Sequence, residues 1–255
     1  MRLVRVVLAS ALGMTSLFAA SSARADDESG VLDSRHHRYE SPQRFALEFR
    51  FAPYHPRIDD APELGGKTPY QDTFGTMPRL ELAIEFDWQV LRIPHVGTLG
   101  PGISAGYTSM GDKARLKADP SQSSAEDTTL EIYPMYAVVV FRADAVVKDL
   151  HIPLVPYAKA GAGLAFWRAS NSLGTSSADN VSGKGHTVGA QFAAGIALHL
   201  NDFDKAASVN LDNSVGINHT YFFFELMSAQ LTGLGQNHAL FVGTNTWVTG
   251  LAFEM

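Results

Sequence analysis

Between residues 78 and 89 the chain reads PRLELAIEFDWQ. Leu80, Leu82, Ile84, Phe86 and Trp88 fall on one parity, and Arg79, Glu81, Ala83, Glu85 and Asp87 on the other. A period of two marks a β-strand, whose successive side chains point to opposite faces. The same alternation recurs along the chain. In RFALEFRF, Phe45, Leu47, Phe49 and Phe51 oppose Arg44, Ala46, Glu48 and Arg50. Over residues 98–109, Leu99, Ile103, Ala105 and Tyr107 oppose Gly100, Gly102, Ser104, Gly106 and Thr108. Residues 130–142 alternate Leu130, Ile132, Tyr136 and Val138 with Glu131, Tyr133, Met135 and Val139. Residues 156–167 set Ala158, Ala160, Ala162, Leu164 and Phe166 against Tyr157, Lys159, Gly161, Gly163, Ala165 and Trp167.

Three further segments complete the set. Residues 188–200 are rich in alanine, yet Val188, Phe192, Ile196, Leu198 and Leu200 share a parity that excludes Gln191 and His199, so the segment reads as strand. Residues 217–228 put Phe222, Phe224 and Leu226 opposite Tyr221, Phe223 and Glu225. The C-terminal segment alternates Trp247, Thr249, Leu251, Phe253 and Met255 with Val248, Gly250, Ala252 and Glu254. The pattern predicts an all-β chain of about eight strands. Long connections rich in Gly, Pro, Ser, Asp and Lys are expected at 52–77, 110–127 and 168–185, shorter ones after the second and fourth strands, and a short helix around DFDKAAS within 201–216.

Alternation alone leaves two architectures open. A water-soluble barrel or sandwich turns the Leu80, Ile84 and Trp88 face inward, and a membrane barrel turns it outward. The N-terminus decides between them. Arg2 and Arg5 precede an apolar run over 6–20, and Ala23-Arg24-Ala25 supplies small residues two apart, the form of a cleaved secretory signal peptide over 1–25. Residues 26–43 are polar and aperiodic and read as a flexible periplasmic lead-in, leaving 44–255 for the barrel. Beyond the leader no apolar run is long enough for a transmembrane helix. An even number of strands about ten residues long after a signal peptide is the pattern of a single antiparallel transmembrane β-barrel in a Gram-negative outer membrane, with a polar interior.

On that reading the charged parity lines the lumen. The expected lumen set is Glu48, Arg50, Arg79, Glu81, Glu85, Asp87, Glu131, Lys159 and Glu225. Charges held away from bulk water must pair, so Arg50, Arg79 and Lys159 are expected to meet the carboxylates and close a barrel of this size. Both termini should be periplasmic and the long loops outside. Phe45, Trp88 and Phe253 should mark the periplasmic aromatic girdle, and Tyr107 and Phe166 the outer one.

Composition narrows the chemistry. At 45% hydrophobic and 18% charged it is ordinary for a globular chain. There is no cysteine, which removes disulfides, thiolate metal sites and a cysteine nucleophile. Loss of Arg2, Arg5 and Arg24 with the leader leaves 17 of the 20 basic residues against 26 acidic ones, a formal charge of −9 that argues against a nucleic-acid partner.

Four short motifs touch on catalysis or binding. Gly102-Ile-Ser104-Ala-Gly106 matches G-x-S-x-G, but it lies mid-strand with no helix following, where small lumen residues are the better reading. His219 with Glu225 has the acid and base of a lipid-modifying barrel enzyme, but Tyr221 stands where a serine would be needed. His36 and His37 are adjacent imidazoles on a linker, without further ligands. Lys184 in SGKG lacks the remaining residues of a phosphate loop. No catalytic, metal or cofactor site is expected.

The alternation of Trp247, Leu251, Phe253 and Met255 resembles the terminal strand signal read by barrel-assembly machinery, although that pattern ends in Phe or Trp and this chain ends in Met. Over 45–255 the chain resembles the small eight-stranded outer-membrane barrels of the OmpA-like, OmpX-like and OmpW-like group. PLVPYAKAGAGLAFW and GINHTYFFFE are similar to segments of an uncharacterised outer-membrane β-barrel family of myxobacteria, which has no settled activity to transfer. The expected partners are outer-membrane lipid, lipopolysaccharide and the assembly machinery, with the oligomeric state left open and a monomer favoured. The expected role is non-enzymatic, structural or through surface loops, with passive passage of small or apolar molecules as the alternative and a lipid-modifying enzyme behind both.

Overall fold

The computed structural model describes residues 44–115, 123–144, 152–172, 174–178, 181–201, 216–235 and 239–255. The expected leader, the lead-in with His36 and His37, and the helix expected around DFDKAAS lie outside these residues. Eight long strands form the body: β1 (Phe45–Tyr54), β2 (Arg79–Trp88), β3 (Gly97–Arg115), β4 (Ser123–Arg142), β5 (Leu154–Asn171), β6 (Lys184–His199), β7 (His219–Gln230) and β8 (Thr244–Glu254). Each is antiparallel to the next, and β1 also pairs with β8, so the sheet closes into a barrel without a free edge. The closing ladder runs from Ala46 opposite Glu254 to Phe51 opposite Thr249. Reciprocal backbone hydrogen bonds between Phe45 and Met255, at 3.1 and 3.0 Å, extend it to the last residue.

The alternation turns apolar side chains outward. On β2, Leu80, Ile84 and Trp88 are 61%, 53% and 45% exposed, whereas Glu81, Glu85 and Asp87 are 4%, 1% and 2% exposed. Ile103, Val139, Phe192, Ile196, Phe222, Leu226 and Trp247 continue the apolar exterior on five other strands. A belt of that extent cannot face water without cost, and lipid is the environment that matches it. Among the described residues no helix is long and apolar enough to cross a membrane. The chain is a transmembrane β-barrel that crosses with its strands.

The two ends differ. At the end bearing the barrel's termini, Phe45 stacks outside on Phe86 and Trp88, with centroids at 5.3 and 6.4 Å. Toward the opposite, loop end, Tyr107 packs on Tyr133 at 5.1 Å. A three-residue strand, Leu91–Ile93, adds to β3 at the terminal end. At the loop end, residues 55–78 carry two 3₁₀ turns and the short helix α1 (Pro69–Phe74). The Asp59 carboxylate accepts hydrogen bonds from the Tyr70 and Gln71 backbone N–H groups at 2.8 and 2.9 Å, satisfying donors that the helix start leaves open. Ile58, Tyr70 and Phe74 are thereby held in the core cluster that fills the loop end.

Two expectations are corrected. The segment 110–127 is largely ladder, because β3 and β4 remain paired as far as Arg115 opposite Ser123, with an irregularity between Lys113 and Arg115. Likewise β5 and β6 reach to Asn171 and from Lys184. Polar composition there reflects strands with less apolar surface to cover, and not the absence of strand.

Candidate functional site

The lumen is built in layers from the inward parity of each strand. β1 contributes Glu48 and Arg50, β2 Glu85 and Asp87, β4 Arg142, β5 Tyr157 and Lys159, and β7 Phe223 and Glu225, all buried. Lys159 donates to Glu48 Oε2 at 2.7 Å and to Glu85, and lies 3.7 Å from Glu225. Arg50 donates to Glu48 at 2.7 Å and to Glu225, with Glu85 at 3.3 Å. Arg142 donates to Glu48 at 2.5 Å and Asp87 at 3.0 Å, and reaches Glu254 at 3.8 Å. Tyr157 donates to Glu225, and Tyr221 to Glu254, each at 3.0 Å.

The aromatic rings complete this layer. Arg50 lies over Phe223 at 5.6 Å, and Arg142 and Lys159 lie over Tyr157 at 5.7 and 5.2 Å. Cation–π attraction strengthens when both groups are desolvated. Breaking a buried ionic pair by removing one partner costs about 3–5 kcal/mol, because a charge is stranded. The layer is therefore a lock across the barrel.

Clearance for the carboxylates comes from β3. In register, Asp87, Glu85 and Ala83 of β2 face Gly102, Ser104 and Gly106. A Cβ on Gly102 would collide with Asp87 Oδ1, and one on Gly106 would come within 2.6 Å of Glu81 Oε1. The G-x-S-x-G match is thus the small-residue complement of an acidic strand, and Ser104 is buried mid-strand away from any turn.

Above the ionic layer the loop end is apolar. Tyr54, Met110, Leu130, Ile132, Tyr136, Leu231 and Val242 pack with the loop residues named above. The Tyr54 hydroxyl donates to the Val242 carbonyl. Between the two layers lies a cavity with room for about one water, about 10 Å³, bordered by Arg50, Glu81, Ser104, Tyr136, Gln191 and Met227.

Glu48, Arg50, Glu85, Asp87, Lys159 and Glu225 thus come together, and Glu81 lies nearby in the lumen. Two expected members do not join. Arg79 starts β2 at the loop end, half-buried, and makes no ion pair with the carboxylates; it sits too far along the strand. Glu131 points outward, because β4 turns Leu130, Ile132, Tyr136, Val138, Val140 and Arg142 into the lumen; its carboxylate accepts from Tyr107 at 3.3 Å. Sequence reasoning missed Arg142 and Glu254. The signal for Arg142 was available, since its parity opposes that of Glu131.

Glu48, Glu85 and Asp87 present oxygens within 4.8 Å of one another, close enough to share a metal ion. Lys159 and Arg142 already occupy that position with their own charges. His219 Nδ1 faces His199 Nε2 at 2.8 Å, a cross-strand imidazole pair. Trp247, Leu251, Phe253 and Met255 all lie on the outward parity of the closing strand.

No protein-family model matches the chain. No curated protein matches it either. Solved structures share the barrel at low identity. Ail, the attachment invasion locus protein of Yersinia pestis, in complex with the heparin analogue sucrose octasulfate, is 12% identical with a TM-score of 0.42, covering 84% of this chain and 97% of its own. The N-terminal β-barrel domain of Pseudomonas aeruginosa OprF is 10% identical with a TM-score of 0.41, covering 84% and 99%. The outer membrane enzyme PagL is 10% identical with a TM-score of 0.37, covering 82% and 98%.

Proposed function

We propose that this protein is a closed barrel of a Gram-negative outer membrane that acts through its loop-end surface, without conducting. One observation carries the reading: the lumen is filled twice, by the ionic layer and by the apolar layer under α1, with room for about one water between them. A barrel of eight strands is just wide enough to be filled by side chains, and here they fill it. Outer-membrane placement is supported by the apolar belt and the even, antiparallel, closed sheet.

The ordered loop is the surface on offer. Its core side, Ile58, Tyr70 and Phe74, is anchored, while Asp60, Glu63, Lys67 and Asp72 face outward on a backbone held in place. Anchoring lowers the entropy lost when a partner binds such a loop. Lipid and lipopolysaccharide are the partners of the belt, and barrel-assembly machinery that of β8. Passive passage would require both layers to move.

The test uses the absence of cysteine. Lys67→Cys, expressed with its leader, should react with a membrane-impermeant maleimide on intact cells. Labelling only after lysis would overturn the outward orientation and the surface role with it.

A further inference from the structure

Among the described residues the lumen holds six buried carboxylates, Glu48, Glu81, Glu85, Asp87, Glu225 and Glu254, against three buried cations, Arg50, Arg142 and Lys159. Five of the six carboxylates have an ion pair. Glu81 is the exception among the described residues, although it is only 4% exposed. It borders the cavity between the two layers, and its Oε2 has no hydrogen-bond partner. Arg50 borders the same cavity, but its terminal nitrogens are directed to Glu48, Glu85 and Glu225.

Independent groups point into the same space. Gln191 is fully buried on β6, and both its Oε1 and its Nε2 lack partners. The Tyr136 hydroxyl from β4 is likewise unpartnered, and Ser104 supplies a further hydroxyl from β3. Orphaned buried polar atoms are rare because each costs about 1–3 kcal/mol. Three strands converge such atoms on a space of about 10 Å³, and Ser104 of a fourth borders it. A water there would satisfy hydrogen bonds but bring no positive charge to the Glu81 carboxylate.

We propose that this cavity binds one small monovalent cation such as sodium, held by the Glu81 carboxylate and the Gln191 amide carbonyl, with the Tyr136 and Ser104 hydroxyls completing an all-oxygen shell. Oxygen donors suit hard cations. Calcium takes six to eight oxygens, and magnesium keeps several of its waters; a space for about one water accommodates neither. One unpaired carboxylate matches a single positive charge. The ion would lower the excess of buried carboxylates over buried cations from three to two.

The test compares unfolding of the refolded mature chain in sodium chloride and in choline chloride at equal ionic strength, since choline is too large for the cavity. Sodium should raise the unfolding midpoint, with the folding equilibrium constant rising about tenfold per tenfold increase in sodium above the dissociation constant. Glu81→Gln should abolish that dependence. Should that variant not fold, Gln191→Leu serves in its place, with the same loss expected. Equal midpoints of the natural chain in the two salts would overturn the site. Sodium dependence persisting in either folded variant would also overturn it.

Discussion

Lys159 Nζ meets Glu48 Oε2 at 2.7 Å from the opposite wall of the barrel. β1 and β5 are four strands apart in a ring of eight, so this contact spans the diameter. It joins two residues 111 positions apart in sequence across a lumen whose width follows from the strand number. The surrounding carboxylates and guanidinium groups are organised around it.

Lys159→Met should therefore destabilise the barrel by about 3–5 kcal/mol, since Glu48 and Glu85 each lose a buried partner. Urea unfolding in lipid vesicles measures it. Adding Glu85→Gln should recover part of the loss, because Glu85 then keeps only Arg50, at 3.3 Å, and its poorly compensated charge is removed. A single variant with the stability of the natural chain would show that the diameter contact carries little.

Arg79→Ala should change stability by less than about 1 kcal/mol, the range of substitutions outside a buried network. Arg142→Ala should cost about 3–5 kcal/mol, because Glu48 and Asp87 both accept from it. Comparing the two under the same denaturant separates a rim arginine from a lumen one.

Gly102→Ala and Gly106→Ala should each cost about 1–3 kcal/mol, as overpacking against Asp87 and Glu81 forces those carboxylates to shift. Gly111→Ala is the control on the same strand: its Cβ would meet Thr129 Oγ1 at 3.6 Å, an ordinary contact. Thermal unfolding midpoints of the three should rank the control highest.

Asp59→Ala should loosen the loop and leave the barrel intact. The carboxylate caps α1 through two backbone N–H groups, and loss of a cap costs about 0.5–2 kcal/mol. Faster tryptic cleavage after Lys67, with unchanged β-sheet circular dichroism, is the expected outcome.

The sequence made the barrel legible wherever one parity was apolar and the other charged. β2 is such a strand, and its outward Leu80, Ile84 and Trp88 face was readable on the expectation of an export leader. β4 was harder: Val138, Val139, Val140 and Phe141 are apolar on both parities, so only Glu131 and Arg142 could orient it, and they disagree. The lumen takes the arginine, because Asp87 and Glu48 wait at that depth, while Glu131 lies near the loop end, where its carboxylate accepts from Tyr107. α1 is six residues long, too short to show a helical period. Which carboxylate meets which cation depends on strand stagger around a closed ring, and alternation along single strands does not carry that.

The closed lumen is tested by the ionic conductance of refolded residues 26–255 in a planar lipid bilayer. With folded insertion verified by a heat-dependent shift in gel mobility, the natural chain should give no discrete conductance steps. Stable unitary steps from the folded natural chain would contradict the filled lumen and make passage through the barrel the function to pursue.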